Sequence, residues 1–153
     1  MPSIEAIPPY RYRLLYESQR PAGESSVEDE MHEKAGLSSL ERVVGREVSA
    51  VCFIQNCVQV MFEELILTCY TLPMVNNSGA LFDISVPGYR DKLCELIGKS
   101  VQSVVEKDRD AVSIYFDGGD SLSISLRLKN ATSVEAAMLH ELGGDIFDVW
   151  RYE

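Results

Sequence analysis

An α+β domain is predicted, with an antiparallel sheet built from two pseudo-twofold-related α-β-β-β repeats and their helices packed on one face. The main observation is an apolar pattern that occurs twice. Leu40, Val43, Val44, Gly45, Val48 and Val51 return at a shift of 53 as Leu93, Leu96, Ile97, Gly98, Val101 and Val104. The shift becomes 54 for Val58, Val60 and Phe62 against Val112, Ile114 and Phe116, and 57 for Leu65, Leu67 and Cys69 against Leu122, Ile124 and Leu126. A second observation supports duplication: the added residues fall in turns, where a change of length is tolerated. A third is energetic, because one such unit exposes a strand edge and half a core, and pairing two removes both defects.

The elements follow in order. Residues 1–37 read as an N-terminal arm and an acidic linker, and residues 38–153 as one domain with repeats over 38–86 and 87–153. In the arm, Tyr10-Arg11-Tyr12-Arg13-Leu14-Leu15-Tyr16 alternates as a half-exposed strand does, and its tyrosines and arginines also suit a binding surface. Ser38 with Glu41 fits a capping box ahead of a two-turn helix that stops at Gly45. Strands are expected over Val48–Ile54, Val58–Phe62 and Leu65–Cys69. Glu63-Glu64 is poor chemistry for a tight turn, so a longer hairpin is expected there. In the second repeat, Tyr89, Leu93, Leu96 and Ile97 mark one face of an amphipathic helix closed by Gly98. Strands follow over Val101–Val105 and Val112–Phe116, then Leu122–Leu128 after the hairpin signal Asp117-Gly118-Gly119-Asp120. The shift of 57 also lays Ala80-Leu81-Phe82 on Ala137-Met138-Leu139. Ser133–His140 reads as a short capped helix, and Ile146–Trp150 as a closing strand that covers an outer edge or pairs across a dimer.

Composition bounds the function. The net charge of −10 and the absence of a basic stripe exclude binding nucleic acid through its phosphates. No apolar run approaches the roughly 20 residues that span a bilayer, and the opening Met1-Pro2-Ser3-Ile4-Glu5 is unlike a signal peptide. A cytoplasmic protein that binds no membrane is therefore expected. Glu17, Glu24, Glu28, Asp29, Glu30 and Glu33 face Arg20 alone, which suits either a solubilising segment or docking onto a cationic partner. None of Cys52, Cys57, Cys69 and Cys94 forms a C-x-x-C pair, and Cys69 and Cys94 sit at apolar positions, as buried thiols would.

The residues of chemistry are sparse. His32 and His140 lack the spacing of metal ligands, and Asp117 and Asp120 are too few for a calcium loop. Neither glycine pair stands in a phosphate-binding motif. No catalytic residue, metal or cofactor is expected. The expected interaction surface comprises Tyr10, Tyr12, Glu28, Asp29, Glu30, Asp148 and Trp150.

Gly45-Arg46-Glu47-Val48, Phe116-Asp117-Gly118-Gly119-Asp120-Ser121-Leu122, Glu135-Ala136-Ala137 and Gly143-Gly144 leading to Val149-Trp150 resemble a group of small uncharacterised bacterial domains of unknown function. Those domains share an FxDG-x-x-L hairpin, a Glu-Ala element and a closing Val-Trp strand. The resemblance covers roughly residues 40–151 and implies a bacterial origin but no activity. The functional expectation is a non-enzymatic protein-interaction module, in one form an immunity-type protein that binds a basic partner by electrostatic steering. The alternatives are a ligand-binding or enzymatic domain with a pocket at the repeat interface, using Cys94, His140, Asp145 or Tyr89, and a structural homodimer.

Overall fold

The computed structural model describes residues 38–107, 109–127 and 133–152. The expected arm Tyr10–Tyr16, the acidic linker and Leu128 lie outside the described residues. The described chain is mostly β. Strands β1 (Ala50–Ile54), β2 (Cys57–Phe62), β3 (Leu65–Cys69), β4 (Met74–Asn77) and β5 (Ala80–Phe82) precede helix α1 (Tyr89–Cys94). After it come β6 (Val101–Lys107), β7 (Ala111–Phe116), β8 (Ser121–Ser125), β9 (Glu135–Glu141) and β10 (Ile146–Arg151). The strands form two five-stranded sheets, ordered β1-β2-β3-β9-β10 and β5-β4-β8-β7-β6, with every strand pairing antiparallel.

This overturns the α+β expectation. The first expected helix is a five-residue 3-10 helix, Ser39–Val43, capped by the Ser38 hydroxyl accepting from the Leu40 N–H. Helix α1 has six residues, so it is about 9 Å long, whereas five strands side by side span about 19 Å. Neither helix can cover a sheet face. Instead the sheets turn their apolar faces toward one core, and the short helices add Leu40, Val43, Tyr89 and Leu93 to it from the sides. The 3-10 helix packs against β6 and β10, and α1 against β1 and β4. Ser39 Oγ donates to the Phe147 carbonyl at 3.3 Å and the Arg42 guanidinium lies over the Phe147 ring. The Lys92 ammonium lies over Phe82.

The stretch Ser133–His140, expected as a helix, instead contributes β9, the strand between β3 and β10. Helix propensity in Glu-Ala-Ala-Met-Leu amounts to tenths of a kcal/mol per residue, roughly 0–0.7, and ladders on both sides of β9 outweigh it. The hairpin β4–β5 was not anticipated. Its loop is Ser78-Gly79, with φ of +52° and +86°, which is the geometry of a type I′ turn. The correspondence of Ala80–Phe82 with Ala137–Leu139 also fails, because β4, not β5, occupies the place beside β8 that β9 occupies beside β3. The Glu63-Glu64 hairpin is tight after all: Phe62 pairs Leu65, with Glu63 at φ +59° and its N–H bonded to Ser49 Oγ.

Each sheet therefore holds three consecutive strands from one half of the chain and a hairpin from the other. The halves also meet main chain to main chain. Gly45 N–H donates to the Val101 carbonyl and Gly98 N–H to the Val48 carbonyl, both at 2.9 Å. Val48 N–H donates to Lys99 and Val101 N–H to Arg46, again at 2.9 Å. Adding 53 to the first half's numbers turns each bond of a pair into the other, and Glu47 faces Ser100 at the centre. The side chains follow suit: Arg46 reaches Glu63 at 3.4 Å, and Lys99 pairs with Asp120 in the corresponding place.

Two mutations test this arrangement. Phe116 is fully buried, and Phe116→Ala is expected to cost about 3–5 kcal/mol in chemical denaturation. Gly98 has φ +88° beside the crossing bonds, so Gly98→Ala is expected to cost about 1–2 kcal/mol through backbone strain alone, read as a shift of the urea midpoint at constant slope.

Candidate functional site

The two sheets differ on their outer faces. In β7 and β8, inward Val112, Ile114, Phe116, Leu122 and Ile124 alternate with outward Ala111, Ser113, Tyr115, Ser121, Ser123 and Ser125. The second sheet thus shows solvent a serine-rich face, with Ser113 and Ser123 hydroxyls 3.2 Å apart. The first sheet does not alternate in this way. All five residues of β3 are buried, Ile66 and Thr68 among them, although both point away from the core.

Pairing registers lay out this outer face. One row runs Ala50, Met61, Ile66, His140 and Ile146 across β1, β2, β3, β9 and β10. The next runs Cys52, Gln59, Thr68, Met138 and Val149, and Ile54 with Cys57 begins a third. The face is mostly apolar, and neither helix lies over it. Ile54 and Ile146 are its most exposed large residues, at 47% and 60%. At one end the β2–β3 and β9–β10 turns are held side by side by the Leu142 N–H donating to the Glu64 carbonyl. That contact brings Glu63, Glu64, Glu141 and Asp145 to one rim, with Arg46 within 4.0 Å of Glu63 and Glu64.

Three polar side chains interrupt the apolar rows and bond to one another. Gln59 Nε2 donates to Thr68 Oγ1 at 3.1 Å, and Thr68 Oγ1 lies 3.0 Å from His140 Nε2. The ring tautomer decides which of the threonine hydroxyl and Nε2 donates. Burial pushes the His140 pKa below its ordinary value, and a main-chain bond at Glu141 opposes this only in part. A hydroxyl on an imidazole resembles a nucleophile with its base. Thr68 is only 3% exposed, however, and neither it nor His140 lines either of the two best-formed hollows. The chain of bonds therefore satisfies buried polar groups at the centre of the face.

The residues singled out from sequence do not converge. Tyr10, Tyr12, Glu28, Asp29 and Glu30 lie outside the described residues. Trp150 is buried in the core, its indole N–H donating to Glu106 at 3.2 Å, and Asp148 is half-buried beside it in β10. Tyr89 is buried, its hydroxyl donating to the Pro73 carbonyl, and burial raises its pKa. Cys94 ends α1 and is exposed, contrary to the buried thiol expected, whereas Cys57 and Cys69 are buried. Cys94, His140 and Asp145 line neither of the two best-formed hollows, and Tyr89 borders only the smaller one, of about 290 Å³. Among the described residues no three His, Cys, Asp or Glu side chains are placed to hold a metal, and no helix is long and apolar enough to cross a membrane.

Sequence reading passed over Gln59 and Thr68, which sit in strands of good apolar alternation. The one available signal was the unbroken run Leu65-Ile66-Leu67-Thr68-Cys69, apolar at outward as well as inward positions. Comparison with protein-family models, curated proteins and solved structures finds no match.

The histidine sets a pH dependence. Its folded pKa lies below the unfolded value of 6.5, so the unfolded chain binds the extra proton. Stability should be full above about pH 7 and fall as pH drops through 6.5 toward the lower folded value. Denaturation curves from pH 8 to about 5 should show this loss, and His140→Gln should flatten it. That window lies above the range near 4 where carboxylates protonate.

Proposed function

We propose that the protein is a non-enzymatic interaction module that docks a partner protein on the outer face of its first sheet. The observation that carries this reading is the apolar face itself, buried at β3 in its centre, with Cys52 and Ile54 on β1 and Ile146 on β10 exposed along its two edges and an acidic rim at one end. Sheet faces turned to water are ordinarily polar, as the serine face of the second sheet is, and exposed apolar patches rimmed by polar residues mark interaction sites. The rim decides the character of the partner. Glu63 and Glu64 share Arg46, Glu141 and Asp145 stand beside them on the neighbouring turn, and the whole chain carries −10. A basic partner fits, with an apolar centre and flanking lysines or arginines. Electrostatic attraction would then speed encounter and the apolar rows would slow release.

Size supports including the rim. Five strands by about five residues give a flat face of roughly 300 Å², whereas a standard interface covers about 800 Å² on each partner. The turns at the acidic end supply adjacent surface. An immunity-type protein that neutralises a basic toxin is one concrete form of this reading.

The test is retention of protein from a lysate of the source organism on immobilised wild type and on the double variant Ile54→Lys, Ile146→Lys. A basic protein should be held at low salt by wild type, released at high salt, and lost from the variant. Retention of no basic protein at low salt, or equal retention by both forms, would sink the proposal. Sedimentation that shows wild type self-associating through the same two residues would replace the basic partner with a second copy.

A further inference from the structure

A cleft of about 950 Å³ opens beside the serine face of the second sheet. Its floor is Met74, Ser123 and Ser125, on β4 and β8, and the crossing segment Tyr70–Leu72 and the β1–β2 turn with Asn56 border it. From these groups we infer that the cleft binds a neutral, hydroxyl-rich ligand of the oligosaccharide class.

Four properties converge on that class. The volume is at the upper end of the roughly 300–1,000 Å³ of small-molecule sites, enough for several sugar rings. The charges in the cleft are already matched: Arg127 Nε donates to Asp110 Oδ1 at 2.5 Å, and Asp83 Oδ1 accepts from the Ser85 N–H at 2.8 Å and from its hydroxyl. An anionic ligand such as a phosphate ester would have to compete with Asp110 for Arg127, the one basic side chain in the lining among the described residues. The remaining polar groups are hydroxyls and amides, which both donate and accept, as a polyol does. Thr71 and Ser123 already bond Tyr152 and Ser113 within the protein, and a hydroxyl offers one donor and two acceptor positions, so groups engaged in this way can still serve a polyol.

The fourth property is the apolar strip. Leu72, Met74 and Ile84 are 40%, 40% and 51% exposed, and all three border the cleft. Tyr70 stands beside them as the only aromatic residue of the lining among the described residues. Sugar rings present C–H faces between their hydroxyl edges, so a strip of this kind beside hydroxyls and amides matches both surfaces of the ligand. Nothing in this reading depends on the face of the first sheet.

Saturation-transfer-difference NMR on the full chain with maltotriose, cellotriose and N-acetylated chitotriose tests it. At least one should receive saturation from the wild type. Ser123→Leu, which fills the floor, should weaken that ligand by at least about tenfold. Ile84→Ala, on the exposed rim, should weaken it several-fold while leaving the thermal melt unchanged, so a folding defect in the first variant does not decide the matter. Ile146→Lys, on β10 of the other sheet, should leave saccharide binding as it was. Saturation of none of the three trisaccharides, an unchanged Kd in Ile84→Ala, or displacement of the sugar by inorganic phosphate would overturn the inference.

Discussion

Glu47 faces Ser100 where the two halves of the chain meet, and four main-chain hydrogen bonds cross there in exchangeable pairs. Every later strand takes its position from this crossing. It fixes where β1 and β6 begin, and hence where each three-strand run lies relative to the other. It also holds Gly45 and Gly98 in the left-handed conformation that turns each short helix into its strand. Main-chain bonds suit this task because they depend little on side-chain identity. Arg46 and Glu47 can differ from Lys99 and Ser100 without loss of the pairing.

Exchange of hairpins completes the core. β9–β10 joins the sheet that begins with β1–β2–β3, and β4–β5 joins the sheet that ends in β8–β7–β6. Neither half has a complete sheet of its own, and the buried cluster draws residues from both halves and both helices. The corresponding ion pairs then diverge. Glu63 remains largely exposed beside Arg46, whereas Asp120 is buried and binds Lys99, Asn77 and the Ser78 N–H. Donation by Lys99 in particular holds the Asp120 carboxyl below its ordinary pKa. The second pair thereby ties the exchanged hairpin to the β7–β8 turn.

Much of the strand content was legible because period-two alternation reports burial directly. Val58-Val60-Phe62 and Val112-Ile114-Phe116 are strands with those residues buried. The turn at Gly118-Gly119 is where the glycines put it, both at positive φ. Legibility failed where neighbours rather than local preference decide. Ala136, Ala137 and Leu139 form a strand because β3 and β10 flank them, and no window of sequence contains that information. The outer face failed for the same reason. Cys52, Gln59, Thr68, Met138 and Val149 are scattered over nearly a hundred residues and form one row only through pairing registers.

By itself the sequence determined which residues seek the core, where glycines and polar pairs turn the chain, and that an apolar pattern recurs 53 residues on. These are local properties: side-chain hydrophobicity, backbone freedom and spacing act within a few residues. The tertiary structure alone decided that the sheets face each other instead of facing helices, that the terminal hairpins change partners, and that one outer face is apolar and the other rich in serine. Such choices depend on which open strand edge and which uncovered surface each element meets after folding, a competition between distant segments with similar local preferences.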